Sequence, residues 1–297
     1  MNKAGLKEGE KLNIVVTGAG GQLGHDVIQC FQREKGVSIT GFTRLEWDVT
    51  DSIHTTRMLD QFRPDVVIHC ASFTRVDESE SNPGLAYQVN VDASRQLAQE
   101  CGRRNIRLVY ISTDYVFDGK NQEGYTEYDF PNPINQYGRT KRLGETWVQK
   151  YCPHHLILRT SWLYGAHGHN FVQTILRKAK QKETLSVVTD QVGSPTYTGH
   201  LAKQMKVLLQ TDAKGIFHTA NTGSCSWYQF AKTILDFARI NVPIQAILSS
   251  QLNRKARRPA SSILLSARMM AEGYQLMPHW KEGLREFFAQ GREGKKA

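Results

Sequence analysis

Apolar and polar positions alternate regularly along the first half of the chain. Leu12–Thr17 is a short, β-branched apolar run and reads as a strand. Gln22–Arg33 carries Leu23, Val27, Ile28 and Phe31 at helical spacing. Val37–Phe42 predicts a second strand. Thr50 and Asp51 are cap residues for a second helix ending near Phe62. Asp65–Cys70 is a continuous apolar strand, the pattern of burial on both faces. Leu85–Cys101 reads as one helix, with Gly102 close to its C-cap. Ile106–Ser112 is a fourth strand, Asn135–Tyr151 a helix and His155–Arg159 a fifth strand. Strands and helices in this order specify βαβ units with right-handed crossovers. The fold class is therefore α/β, a Rossmann-type doubly wound parallel sheet.

The second half is less regular. Asn170–Gln181, His200–Gln210, Trp227–Ala238 and Gly283–Gln290 read as helices, and Leu185–Val188 and Ile216–Thr219 as short strands. Prolines 195, 243, 259 and 278 punctuate the loops, and there is neither a Gly/Ser linker nor a repeat. The expected division is a first domain over 12–165, to which segments around 185–235 return. A smaller α/β region spans 166–184 and 236–297. Residues 1–11 are expected to be a flexible leader.

Composition narrows the class. No apolar run approaches the roughly 18–20 residues of a membrane span, and the polar start lacks the apolar core of a signal peptide. No membrane partner is expected, and cytoplasmic residence is the default. Cysteines 30, 70, 101, 152 and 225 are scattered without CxxC spacing, which suits free thiols in a reducing compartment. The net charge is +10, mostly dispersed apart from 254–258 and the tail. Without an aromatic-interleaved basic stripe, nucleic acid is not expected. A solvated basic surface and an anionic small substrate remain.

Two constellations carry chemistry. The first is "TGAGGQLG" at Thr17–Gly24, between a strand and a helix. Gly18 suits a tight turn, Gly21 close approach to a pyrophosphate, and Gly24 close helix–strand packing. The helix N-terminus adds N–H donors and a positive dipole end. No acid stands at the end of the second strand to read a ribose hydroxyl, but Arg44 is near and suits a 2′-phosphate. That favours NADPH and leaves NADH open. The second is Tyr137 and Lys141, four residues apart on one helix face, following "STDYVFDG" (Ser112–Gly119) at a strand end. An ammonium beside a phenol lowers the phenol pKa. Tyr137 can then give or take a proton, and Thr113 can bond a carbonyl oxygen.

With these motifs the chain resembles the extended short-chain dehydrogenase/reductases and, within them, the dTDP-4-dehydrorhamnose reductases. The likeness runs nearly end to end. It takes in "DVTD" (Asp48–Asp51), "RPDVVIHCASFTRVDESE" (Arg63–Glu80), "INQYGRTKRLGE" (Ile134–Glu145), "LRTSWLYG" (Leu158–Gly165), "TDQVGSPT" (Thr189–Thr196) and "ARRPASSIL" (Ala256–Leu264). The resemblance implies an NADPH- or NADH-dependent reduction of dTDP-4-dehydro-β-L-rhamnose at C4. It places Gly21, Gln22 and Leu23 on the cofactor pyrophosphate, Asp48 and Val49 against the adenine, and Ser72, Phe73 and Thr74 along the cofactor. Tyr137 becomes the proton donor, and Lys141 also holds the nicotinamide ribose. Thr113 and Asp114 touch the sugar, Trp162 packs against it and Val76 lies near it. Arg258 is either a surface residue or a cation near the nucleotide diphosphate.

The chain departs from the family at His69 and Arg75, in "HCASFTRVD" where "NAAAYTAVD" is usual. Some members bind Mg²⁺ through glutamates at a dimer interface. One such position is Asp26 here, which leaves the metal, and the choice between monomer and homodimer, open. Two other readings stand. One is reduction of another nucleotide-linked 4-keto-6-deoxy sugar. The other is a non-catalytic regulatory subunit like those of methionine adenosyltransferase, which should show an eroded Thr/Tyr/Lys set. Here Thr113, Tyr137 and Lys141 are intact.

Overall fold

The computed structural model describes residues 11–181 and 184–293, with side chains described up to residue 290. The expected leader lies almost wholly outside these residues. The first half folds as its patterning predicts: β1 (Leu12–Thr17), α1 (Gln22–Phe31), β2 (Val37–Phe42), α2 (Ser52–Phe62), β3 (Val66–His69), β4 (Arg107–Thr113) and β5 (His155–Thr160). Asp51 caps α2 by accepting from the His54 N–H at 2.9 Å. The strands join Gly215–His218 in a six-stranded sheet ordered (Gly215–His218)-β5-β4-β3-β1-β2. Every pairing in it is parallel.

From β1 the chain goes one way to β2 and then the other way to β3. The crevice at this reversal is where such sheets receive ligands. Both sheet faces are covered, which explains the nearly all-apolar strands. Val27, Phe31, Leu201 and Met205 pack on one face, and Leu59, Leu97, Tyr110 and Val148 on the other.

The second half supplies one strand to the large sheet and builds a smaller cluster beside it. Helices Phe171–Lys180, Trp227–Ala238 and Trp280–Glu293 surround a core of Tyr164, Ile175, Phe230, Trp280 and Leu284. Leu185–Val188 pairs in parallel with Ile244–Ile247. The last helix starts at Trp280, three residues before the expected Gly283, because Trp280 is buried and anchors its first turn. Among the described residues no helix is long and apolar enough to cross a membrane, and all five cysteines are free.

Two local features depart from the periodicity. Val76–Ser81 forms an unexpected short helix after β3. The expected helix Leu85–Cys101 is Pro83–Tyr87, then a π-helical turn at Gln88–Asp92, then Ala93–Arg103. Apolar spacing does not register one extra residue in a turn, so this change is invisible to a helical pattern.

The helix Gln136–Tyr151 is fastened to the sheet by a buried charge cluster. Glu145 accepts from Arg159 Nε and Nη2, each at 2.8 Å, from Ser112 Oγ at 2.6 Å and from Arg142 Nη1 at 3.2 Å. Glu145 and Arg159 are essentially inaccessible. Replacing Glu145 by leucine leaves the Arg159 charge buried and unpaired. Urea denaturation should show Glu145→Leu destabilised by about 3–5 kcal/mol, and Glu145→Leu/Arg159→Met by much less.

Candidate active site

The glycine turn closes against the loop after β3. Gly18 has φ +71°, and a Cβ there would stand 2.6 Å from the Ala71 nitrogen. A Cβ at Gly24 would stand 2.5 Å from the Gly18 carbonyl oxygen. Gly18 therefore makes the close approach between neighbouring strand ends, and Gly24 packs on the turn's own backbone. Gly21 is the N-cap of α1 and has no side chain to cap it. The N–H groups of the first turn are thus left for an outside acceptor.

Two cavities meet at this turn. One, of about 390 Å³, runs from Gly18 and Gly21 past Ser72, Phe73 and Thr74 to Arg44, Asp48 and Val49. Arg44 is 73% exposed at its rim, with Nε 3.5 Å from Asp48 Oδ2. Arg75 also lines this cavity, while pairing with Glu78 at 2.9 Å. The loop 72–74 is held from behind by Asn90, a residue of the π-turn. Asn90 Oδ1 accepts from Ser72 Oγ at 2.9 Å and the Phe73 N–H at 2.8 Å. Its amide donates to the Phe73 carbonyl and to Thr140 Oγ1, both at 3.1 Å.

The other cavity, of about 580 Å³, continues from Gln22, Leu23 and Gly24 to Thr113, Asp114, Tyr137, Lys141 and Trp162. Tyr137 is set by its neighbours in the chain. Asn135 caps the helix by accepting from the Gly138 N–H at 2.8 Å. Any side chain at Gly138 would collide with the Tyr115 carbonyl oxygen, so this glycine lets the helix start press against the segment after β4. Lys141 lies on the same face, its Nζ 4.0 Å from the centre of the Tyr110 ring.

The electrostatics differ from the expectation at one point. Burial holds the Tyr137 hydroxyl above the ordinary phenol range, against the pull of a Thr113 hydrogen bond. Burial also pulls the Lys141 ammonium down to about 7, opposed by Glu145 and Cys70. Desolvation therefore outweighs any lowering of Tyr137 by Lys141, and Tyr137 keeps its proton at neutral pH. Thr113 Oγ1 donates to Asp114 Oδ1 at 2.9 Å. Asp114 Oδ2 is buried with no partner. Burial raises this carboxyl to about 7, against the Thr113 hydrogen bond and the nearby Ser262 hydroxyl.

Beyond Thr113 the cleft is walled by Val76 and Trp162. Trp162 has φ +48° and stacks on Trp227, with ring centres 3.5 Å apart and planes 6° apart. Trp227 also lines a third cavity of about 370 Å³, together with Tyr115, Lys178, Arg254 and Arg258. Arg258 is not a plain surface residue. It donates to both Asp77 oxygens, at 2.6 and 3.1 Å. Sequence reading missed Asn90, Trp227, Lys178 and Arg254. The cluster "RKARR" signalled Arg254, but not which of its cations would remain without a carboxylate.

His69 and Asp26 lie off the cleft, and Cys70 lies at its edge. His69 is buried behind it, its Nδ1 2.8 Å from Thr17 Oγ1, and burial lowers it to about 3, so it is neutral. Cys70 touches the cleft, but burial pushes its thiol up to about 12. Asp26 is buried on α1, accepting from Thr198 beside His25 and His167.

A parallel sheet with a glycine turn at its switch point, followed by Thr, Tyr and Lys converging on one cleft, defines an extended short-chain dehydrogenase/reductase. The sequence pattern described as "RmlD substrate binding domain" matches residues 12–293. The spore coat polysaccharide biosynthesis protein SpsK of Bacillus subtilis is 38% identical over 93% of this chain and 97% of its own. The dTDP-4-keto-6-deoxy-D-glucose reductase of Streptomyces niveus is 37% identical over 92% and 96%. The crystal structure of dTDP-4-dehydrorhamnose reductase from Bacillus anthracis, in complex with NADP, superposes with a TM-score of 0.91 at 40% identity, over 94% of this chain and 99% of that one. The chain belongs to the dTDP-4-dehydrorhamnose reductase family.

Asp114 gives a pH test. Its folded pKa of about 7 lies above the ordinary carboxylate value, so its contribution is full below about pH 4 and is lost as pH rises through 7. Thermal melts from pH 4 to pH 8 should show wild type losing stability relative to Asp114→Asn across that window.

Proposed function

We propose that this chain is an NAD(P)H-dependent reductase that converts dTDP-4-dehydro-β-L-rhamnose to dTDP-L-rhamnose. The observation that carries the reading is the convergence of Thr113, Tyr137 and Lys141 at the far end of the cleft that begins at the glycine turn. That turn fits a dinucleotide: its first and last glycines leave no room for a Cβ, and the first turn of α1 is uncapped by side chains. In this reading Gly21, Gln22 and Leu23 hold the pyrophosphate. Asp48 and Val49 flank the adenine, and Ser72, Phe73 and Thr74 run along the cofactor. When bound, the reduced nicotinamide supplies the hydride.

The chain's own residues do the rest. Tyr137 keeps its proton until the sugar oxygen gains charge, then gives it up, a contribution on the order of 10²–10⁴ in rate. Thr113 turns its one hydroxyl proton from Asp114 to the same oxygen, and Lys141 steadies the ribose and the charge left on Tyr137. The unpaired Asp114 oxygen accepts from a sugar hydroxyl, with Trp162 and Val76 as the apolar wall. Arg254 and Lys178 receive the diphosphate, with Arg258 held beside them by Asp77. In this reading residues 12–165, with the returning strand Gly215–His218, serve the cofactor, and 166–184 and 236–297, joined by Leu185–Val188 and Trp227–Ala238, the sugar nucleotide. The enzyme works in the cytoplasm.

Reduction of another dTDP-linked 4-keto-6-deoxy sugar is the second reading, favoured by the activity for which the Streptomyces niveus relative is named. Incubation with NADPH and each 4-keto sugar, followed by product identification, separates the two. The expected product is dTDP-L-rhamnose, with Tyr137→Phe slowed at least about a hundredfold while still binding NADPH. No NADPH oxidation with any of these sugars, or an undiminished Tyr137→Phe, overturns the reading. Arg44→Ala should raise KM for NADPH about 10–100-fold and leave KM for NADH nearly unchanged, if the guanidinium meets a 2′-phosphate.

A further inference from the structure

Some members of the resembled family hold Mg²⁺ through glutamates at a dimer interface, one of them at the position of Asp26. The residues around Asp26 do not fit that ion. The cluster of possible ligands found there, among the described residues, is His25, Asp26 and His167, with ligating atoms all within 4.8 Å of one another. Mg²⁺ takes oxygen ligands in near-octahedral geometry and binds few imidazoles. Two imidazoles and one carboxylate instead suit Zn²⁺ or its first-row neighbours.

We propose that His25, Asp26 and His167 form a transition-metal site that ties the loop 165–170 to α1 beside the glycine turn. His25 Nδ1 stands 3.6 Å from Asp26 Oδ1, too far for a good hydrogen bond. It is close to the spacing of about 3.4 Å between donors around a tetrahedral Zn²⁺. That nitrogen is buried and has no hydrogen-bond partner. The two imidazoles lie face to face, with ring centres 3.4 Å and planes 30° apart, so the His167 ring must turn for its lone pair to meet that of His25 on one ion. His167 is exposed on its loop, so closing the remaining distance takes a side-chain adjustment and no refolding. Asp26 is oriented from behind: its Oδ2 accepts from the Thr198 hydroxyl, which leaves Oδ1 for the metal. Three protein ligands leave a fourth position for water.

The site bears on the cleft through Gln22. Asn170 at the end of the loop lies 3.4 Å from Gln22 Oε1, and Gly168 packs against the Gln22 backbone. A metal pinning His167 would hold this loop against the cleft wall.

The test is calorimetric titration of the tag-free, metal-stripped full chain with ZnCl₂ and with MgCl₂, for wild type, His25→Gln and His167→Gln. Visible absorption after CoCl₂ addition reports the ligand geometry. One Zn²⁺ per chain is expected, at least about tenfold weaker in each variant, with millimolar Mg²⁺ failing to compete. A thermal melt of metal-free His167→Gln that matches metal-free wild type shows that the variant is folded. The proposal is overturned by absence of Zn²⁺ binding, by equal binding in wild type and both variants, or by Mg²⁺ displacing Zn²⁺ at equal concentration. None of these outcomes depends on which sugar the enzyme reduces.

Discussion

The active cleft depends on a charge pair that touches no ligand. Glu145 and Arg159 meet in the dry layer between the helix Gln136–Tyr151 and the strands β4 and β5. Two charges withdrawn from water repay that cost only when nearly every lone pair and proton is engaged. Glu145 has four donors, one of them Ser112 on the strand that ends in Thr113. The helix cannot roll or slide without breaking this set. Tyr137 and Lys141 lie two turns and one turn before Glu145, so their height above Thr113 is set by the same cluster. The pair therefore fixes geometry more than it adds stability.

The cleft drives its own charges toward neutrality. Lys141 and Asp114 are both brought to about 7, from opposite sides, and Tyr137 is held protonated. One cause, loss of water, acts on all three. A site of this kind is poised to answer polar groups on whatever enters it. The free Asp114 oxygen and the cations near Arg254 mark where such groups are wanted.

Much of this architecture was legible in the sequence because it rests on repeated local signals. The β1–α1–β2 succession, the Asn135 cap and the Tyr137–Lys141 spacing each follow from a few adjacent residues. The misses are of a different kind. Asn90 works by reaching across to a loop some seventeen residues away, from a turn that apolar spacing reads as ordinary helix. The pairing of Arg258 with Asp77 spans most of the chain. That distant carboxylate takes Arg258 and leaves Arg254, which lines the same cavity, without one. Burial, rather than spacing, reversed the expected direction for Tyr137.

The π-turn at Gln88–Asp92 carries a cost and a constraint. A wide turn is less well bonded than regular helix, so a chain one residue shorter there would make a more regular helix. That deletion would leave the helix before and after it nearly in phase, because the wide turn absorbs the extra residue, and would pull the bulged backbone at Asn90 back into line. The amide of Asn90 could no longer face both the loop 72–74 and Thr140. Length variation, tolerated in most surface loops, is thus closed to this helix: its irregular turn displaces Asn90 to where one amide can join two walls of the cleft.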